Sequence, residues 1–374
     1  MQKKSLYSIV AALALTAGIY SCNRINGVDN NQVIETPYSL YFADSAGAVY
    51  NSNDGRTVKL IFPADGKPCR ALCTSGNNVL IIKDNVYYST DNGKNFNHSY
   101  DSVEQAKFPA CGTLDSLPQN QTMVIDLPDW PRTFISTNDP RVLTETIIGA
   151  SSTENTHGTY GSWYPDLPDS NGNVGFVPIA VHSFTKLTSG VVVGYDAVRD
   201  RVVYREKSTL WKESTGNSAG HFGVGAPTRQ TGTGLPDTAY CFGHFNNQLI
   251  ALVNRCSAHG AWFSEDTGRN WTAYSGLPQN ALLCIAAPFE QTCLVGTKGA
   301  GLYVLNLNTS SFQQVINGLA SNLHIRSITA KQNIYKNGNV EKSIFIATNQ
   351  GIYVSKDNGI NWTLTIQGNF TAIY

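Results

Sequence analysis

The sequence predicts an all-β fold: a seven-bladed β-propeller of four-stranded antiparallel blades, its ring closed by the C-terminal strand. Three observations carry that expectation. An octet, Ser-x-Asp-x-Gly-x-x-Trp/Phe, occurs as STDNGKNF (Ser89 to Phe96), SEDTGRNW (Ser264 to Trp271) and SKDNGINW (Ser355 to Trp362). A second marker, GLPDTA at Gly234, GLPQNA at Gly276 and GLASNL at Gly318, recurs every 42 residues, each time just before an apolar stretch. Weaker copies of the octet fill the gaps, so that starts fall at 51, 89, 136, 204, 264, 305 and 355. Units of about 40 to 70 residues, each with several short strands between turn signals, fit blades rather than solenoid repeats.

From the N-terminus, Lys3 and Lys4 precede an apolar run from Leu6 to Tyr20, the pattern of a secretory signal over residues 1–21. Ile19, Tyr20 and Ser21 before Cys22 resemble a bacterial lipobox, with Tyr20 atypical, and the resemblance implies lipidation at Cys22 in a Gram-negative envelope lipoprotein. Residues 22–36 are polar and suit a tether between anchor and body. The body, 37–374, has no stretch long and apolar enough for a transmembrane helix.

The first unit aligns without a gap to the last, SLYFADSAGAVYNSNDGRTV (Ser39 to Val58) against SIFIATNQGIYVSKDNGINW (Ser343 to Trp362). Gly47 then meets Gly351, Asn53 meets Asp357 and Gly55 meets Gly359, so the first octet reads as decayed. STNDPRVL at Ser136, YREKSTLW at Tyr204 and LNLNTSSF at Leu305 also read as decayed copies, each after an apolar strand. The last unit can be written in full: His324 to Ala330, Lys342 to Thr348, Gly351 to Ser355 and Trp362 to Ile366 are its strands from inner to outer. The first unit lacks an inner strand, and the C-terminal NFTAIY (Asn369 to Tyr374) lacks a unit. Pairing that tail beside Leu40 to Ala43 removes both unpaired edges.

The three intact octets resemble the Asp-box, or BNR repeat, of sialidase-like β-propellers. In such a hairpin the Asp accepts backbone N–H groups of its own turn, Gly takes a positive φ, and the aromatic packs in the sheet layer. Ser89, Asp91, Gly93, Phe96, Ser264, Asp266, Gly268, Trp271, Ser355, Asp357, Gly359 and Trp362 are therefore expected to be structural. The resemblance places them on the face opposite the active site.

Lys+Arg and Asp+Glu are equal at 27 each and no basic cluster appears, which gives nucleic acid no electrostatic footing. Seven Cys remain after Cys22, an odd number, so at least one thiol stays outside any intrachain disulfide. Cys69 and Cys73 are too far apart along a strand to bridge. Cys284 and Cys293 flank a turn at Pro288-Phe289, either facing each other across it or buried as small hydrophobes. The seven His show no metal-ligand spacing and no Cys-x-x-Cys occurs, so neither metal nor cofactor is expected.

Ligand-binding candidates come from long connections, which in compact domains tend to be functional. Two insertions, 150–175 and 212–233, flank the fourth unit and are expected on one face. The first offers Tyr160, Trp163 and Tyr164, suited either to stacking on sugar rings or to tucking the insertion onto its blade. The second offers His221 and Arg229. Shorter loops add Trp130, Asp196, Arg199 and Arg255. The Arg-Ile-Pro motif of sialidases is absent, and Asp129, Asp196 and Asp200 have no spacing that marks a glycosidase pair. The reading is an envelope-anchored, non-catalytic propeller, monomeric, binding a glycan or an envelope protein. A diverged sialidase-like glycoside hydrolase is the alternative. A further one is an assembly factor, as in propellers resembling the photosystem II stability proteins.

Overall fold

The computed structural model describes residues 33–69, 71–75, 77–83, 85–89 and 91–102, the strands between 122 and 213, and 239–374 without 247, 256–257, 267, 269 and 279–281. Between 122 and 213 side chains are described only at Val193 and Val202. Among the described residues every regular element is a strand except a 3-10 turn, Pro288–Glu290.

The short β1 (Ile34–Thr36) precedes β2 (Leu40–Asp44), β3 (Val49–Ser52) and β4 (Lys59–Phe62), which belong to the first sheet. The second is β5 (Ala71–Ser75), β6 (Asn78–Ile82), β7 (Asn85–Ser89) and β8 (Asn97–Ser102). The third is β9 (Thr122–Asp126), β10 (Pro131–Ile135), β11 (Glu145–Ile147) and β12 (Thr159–Tyr160). A separate pair, β13 (Trp163–Pro168) and β14 (Val174–Pro178), follows. Next come β15 (Val181–Lys186), β16 (Val192–Asp196), β17 (Arg201–Arg205) and β18 (Lys212–Glu213), then β19 (Ala239–Phe245), β20 (Gln248–Arg255), β21 (Ala258–Ser264) and β22 (Thr272–Tyr274). The sixth four-stranded set is β23 (Leu282–Ala286), β24 (Leu294–Thr297), β25 (Leu302–Asn306) and β26 (Ser311–Val315). The last is β27 (Ile325–Tyr335), β28 (Val340–Thr348), β29 (Gly351–Ser355) and β30 (Thr363–Gln367), with β1 added beside β27. All pairings are antiparallel.

The C-terminal strand β31 (Phe370–Ile373) pairs with β2, Phe42 against Ile373 and Ala43 against Ala372, so the first sheet runs β31-β2-β3-β4 as expected. Apolar clusters join sheets face to face. Leu40, Phe42, Phe370 and Ile373 of the first sheet pack with Phe345, Ala347 and Ile352 of the last. Leu294, Leu302 and Val315 pack with Ile325, Ile344, Ile346 and Trp362. A fully buried side chain of this size contributes about 1.5–3 kcal/mol, so these interfaces dominate the favourable side of folding.

Each intact octet closes the turn between the third and fourth strands of its sheet. Ser355 Oγ donates to Asp357 Oδ1 at 2.8 Å and accepts from Gly359 N–H at 2.8 Å. Asp357 Oδ1 also accepts Asn361 N–H at 2.9 Å, and Asn361 Nδ2 donates to Oδ2 at 2.7 Å. Ser89, Asp91, Gly93 and Asn95 repeat the set, as do Ser264, Asp266, Gly268 and Asn270. Trp271 and Trp362 send Nε1–H back to the carbonyls of Gly268 and Gly359, both at 3.0 Å. The three glycines sit at φ of 76°, 89° and 88°, where a side chain is strained. The seventh-position Asn, present in all three copies, is part of the device although the sequence pattern above left that position open.

The decayed copies differ in kind. In the first sheet Gly55 keeps its place, but Ser52 and Asp54, not Asn51 and Asn53, make the turn: Gly55 N–H donates to Ser52 Oγ and both Arg56 and Thr57 N–H to Asp54 Oδ1. The turn is one residue shorter, which a gapless alignment hides. At 305 only the aromatic survives, Phe312, buried against Phe263. The copy at Ser136 follows β10, the second strand of its sheet, whereas the intact octets follow the third. Its fifth residue is Pro140, whose ring fixes φ near −65° and forbids the conformation glycine takes there. Cys284 lies opposite Gly296, and Cys293 falls just outside the register that pairs Ala286 with Leu294, so the two are not cross-strand partners.

The Gly-Leu marker explains how one sheet meets the next. Trp362 N–H donates to Asn317 O at 3.1 Å, and Phe312 N–H donates to Ser275 O at 2.8 Å. The following glycines, Gly318 and Gly276, lie at φ 77° and 91°, and a Cβ on either would fall 2.0 and 2.2 Å from the carbonyl oxygens of Trp362 and Phe312. The exit of one sheet is thus seated on the octet aromatic of its successor.

Gly318→Ala meets both a positive φ and a backbone clash, so it should cost about 2–4 kcal/mol in denaturant unfolding, whereas Gly338→Ala, with open space around it, should cost about 1. The N–H and amide of Asn361 hold the Asp357 carboxyl below its ordinary value. A carboxyl lowered on folding contributes stability that is complete above about pH 4 and is lost as pH falls through the folded value. Asp357→Asn should therefore lower Tm by about 2 °C at pH 7 and flatten the fall in Tm measured between about pH 4 and 2.

Candidate functional site

The end of each sheet opposite the octets carries the connections between second and third strands and those from one sheet to the next. Their backbone is fixed by short side chains. Thr348 Oγ1 donates to Gly351 O and accepts from Gln350 and Gly351 N–H. Thr297 does the same with Gly301 O and Ala300 N–H. In the first sheet Asp44 replaces Thr, accepting Ala46 and Ala48 N–H and the Tyr50 hydroxyl, each at 2.9 Å.

Lys83, after β6, is fully buried. Its Nζ lies 2.9 Å from Asp65 Oδ1 and 2.6 Å from Gly47 O, and 4.6 Å from the centre of the Phe62 ring. Burial pushes the Asp65 carboxyl up, but the Lys83 ammonium and the N–H of Lys67 outweigh it and leave it lowered. Three connections from two sheets converge on one ammonium, so Lys83 rivets this part of the face.

A second group lies where the sixth and last sheets meet. Lys298 forms an antiparallel bridge with His324, and Gly299 and Gly301 N–H both donate to Leu323 O. His324 N–H donates to Asn349 Oδ1 at 3.0 Å, and Asn349 N–H returns to His324 O at 3.2 Å. Arg326, two residues on, reaches across to Asn369 Oδ1 and Phe370 O at the start of β31. Burial first, then Arg326 and Lys298, pushes the His324 imidazole below its ordinary value. The Arg326 guanidinium is lowered by burial. Three basic side chains thus share one corner, and the cationic form of His324 is disfavoured until negative charge arrives. Sequence reasoning missed this group because Lys298 and His324 lie on different sheets; the available signal was His-x-Arg opening an inner strand.

The candidates named from sequence are placed unevenly. Tyr160 is in β12, in register with Glu145. Trp163 and Tyr164 are in β13, in register with Pro178 and Val177. Segment 150–175 thus contributes a fourth strand to one sheet and most of the separate β13-β14 pair. Asp196 ends β16 opposite Val181 and Arg201, and Arg255 ends β20 opposite Ala258. Trp130, Arg199, His221, Arg229 and Cys22 lie outside the described residues. Among the described residues no group of three or more His, Cys, Asp or Glu is arranged to hold a metal ion.

Neither the protein-family models nor the curated proteins include a match to this chain. Solved structures do resemble it. YCF48 bound to D1 peptide superposes with a TM-score of 0.50 at 14% identity, over 87% of this chain and 91% of that one. YCF48 from Cyanidioschyzon merolae gives 0.47 at 11%, over 87% and 95%. A GH74 enzyme from Niastella koreensis gives 0.35 at 11%, over 88% and 63%. These are β-propellers, and the first likeness, together with the antiparallel four-stranded sheets, gives this chain a propeller fold. At such identity the likeness extends to the fold alone.

Lys83→Met keeps the packing over Phe62 but strands the Asp65 carboxylate and Gly47 carbonyl, and should cost about 2–4 kcal/mol in denaturant unfolding. Adding Asp65→Asn should recover part of that loss, read as a coupling energy in a double-mutant cycle.

Proposed function

We propose that this is an envelope-anchored, non-catalytic propeller that binds an anionic partner through the end of its sheets opposite the octets. The Lys298, His324 and Arg326 corner carries the reading: Lys298 bridges His324 across two sheets and Arg326 lies two residues on, so an anion seated there meets two charged side chains and an imidazole that it helps to protonate. A peptide with acidic side chains or a free carboxylate fits it, in keeping with the peptide held by YCF48, and an acidic glycan presents the same chemistry. The insertions 150–175 and 212–233, with Tyr160, Trp163, Tyr164, His221 and Arg229, and the loop residues Trp130, Asp196, Arg199 and Arg255, would widen this surface.

The reading includes the architecture in its finer form. Seven blades form a closed ring, the octets are Asp-boxes, and β31 is the inner strand of the first blade. The packing of first against last sheet and the reach of Arg326 to Phe370 O support closure. It also includes export by residues 1–21 and a lipid on Cys22, which a mass shift lost in Cys22→Ala would test.

Acidic peptide and glycan arrays probed with the body from residue 33 should show binding weakened at least tenfold by Lys298→Glu. Affinity should rise about threefold or more between pH 7.5 and 5.5, because a bound anion favours protonated His324, and His324→Gln should flatten that rise. Turnover of a fluorogenic glycoside, abolished by Asp196→Ala, would replace this reading with a glycoside hydrolase.

A further inference from the structure

The N-terminal segment enters the fold at a definite place. β1 pairs antiparallel with the end of β27, Ile34 opposite Tyr335 and Thr36 opposite Ile334, and Lys336 N–H donates to Val33 O. The pairing is held further along by Tyr38 N–H on the buried Asn333 Oδ1 at 2.9 Å and by the Tyr38 ring against Phe345. Because the strands alternate in direction, the end of β27, the start of β28 and the turn between β29 and β30 lie at the same end of the last sheet. Residue 33 therefore emerges on the octet side, at the β1 edge of that sheet.

That same end exposes several large apolar residues among its polar turns. Val33, Ile34, Val340 and Ile360 all belong to it, and Leu307 and Val58 occupy the equivalent turns of the sixth and first sheets; all six are between 40 and 60% exposed. Isolated exposed apolar residues need no explanation, but six of the nine large exposed hydrophobics among the described residues fall on the octet ends of three neighbouring sheets. Among the charges at this end, Lys356 is paired with Glu341 and the Asp54 and Asp357 carboxylates are taken up by N–H groups of their own turns.

We infer that the octet end of the last sheet and its two neighbours is the surface that rests on a lipid bilayer, turning the Lys298, His324 and Arg326 corner away from it. The inference rests on the proposed lipid at Cys22. Eleven chain steps lead from Cys22 to Val33 and reach about 36–40 Å at full extension. To bring the opposite end onto the bilayer, that tether would have to run back along β27 at full extension, about 36 Å of strand, with no length left to cross the sheet toward β30, about 19 Å. The octet end is within reach at no extension, and its apolar residues gain by entering the headgroup boundary, as on other interfacial surfaces.

The full chain is produced in a Gram-negative host, purified in detergent and reconstituted into phosphatidylethanolamine and phosphatidylglycerol vesicles containing nitroxide-labelled lipid. A small fluorophore is placed at Ile360→Cys or Val340→Cys, and for the other end at Gln350→Cys or Ser321→Cys, with the unsubstituted labelled chain as baseline. All four positions are exposed, so the labels leave the fold alone. Quenching at 340 and 360 is expected to exceed that at 321 and 350 at least threefold. Equal or reversed quenching on vesicle-bound protein overturns the inference and leaves the anchor standing. An N-terminal peptide of unmodified mass, with protein that does not float with vesicles, sinks the anchor and the inference together. Concentration-dependent shielding of 360 without vesicles would assign the surface to a second copy instead.

Discussion

Closure of the turn between third and fourth strands is the constraint on which the rest depends. A carboxylate gathers the N–H groups of its own turn, a buried serine hydroxyl links it to the glycine, and that glycine stands at a φ no other residue occupies without strain. The result brings Trp362 back into the sheet layer at the point where the preceding sheet ends, and its backbone bonds the exit of its neighbour; Phe312 makes the same bond in a turn that has lost the rest of the octet. Local chemistry thereby sets the register between sheets. Stability in such an array is shared through interfaces, so a local turn has consequences in two sheets at once.

The two ends of the sheets are built on opposite principles. At the octet end, the carboxylates are consumed by their own turns, and large apolar side chains, Ile360, Leu307 and Val58, stand outward among the polar ones. At the other end, Thr297, Thr348 and Asp44 fix the backbone with short side chains and leave longer ones, Lys298, His324 and Gln350, at the rim. Arg326 has two roles at this second end, bonding Phe370 O while lying two residues from His324. A residue that ties the first sheet to the last also contributes charge to the corner proposed to bind.

The last three strands of the last sheet were legible to within two residues, because short apolar runs such as Gly351 to Ser355 lie between clear turn signals, whereas its inner strand runs five residues past Ala330 to Tyr335. The C-terminal tail was legible for a different reason: an unpaired inner position and an orphan strand of matching length imply each other. What escaped was anything whose partner lies far away in sequence. Lys83 looks like an ordinary loop lysine until Asp65 and Gly47 are brought to it from another sheet, and nothing in Lys298 announces His324. The first octet escaped because hydrogen bonding tolerates a one-residue deletion that an alignment by spacing does not: Asp54 reaches Arg56 and Thr57 N–H as well as Asp357 reaches Asn361.

That shortened octet also shows how the fold absorbs a loss. Elsewhere the aromatic of the octet lies beside its own glycine, Trp362 near Gly359 and Phe96 near Gly93, with a residue of the preceding sheet completing the contact, Leu294 and Ile61 respectively. In the first sheet the eighth position is Val58, which is exposed, and no aromatic returns. A Cβ on Gly55 would instead meet Phe345 of the last sheet at 3.0 Å and Tyr38 Oη at 3.2 Å. Tyr38 comes from the segment ahead of the first sheet, is buried, and has its hydroxyl proton held on, its pKa raised to about 12 by burial and then by Asp54. It stands where the octet's own aromatic would. The end of the stretch expected as a tether, Ile34 to Thr36, is thus a strand of the last sheet, and Tyr38 just after it is held by Asn333 and Phe345 of that sheet.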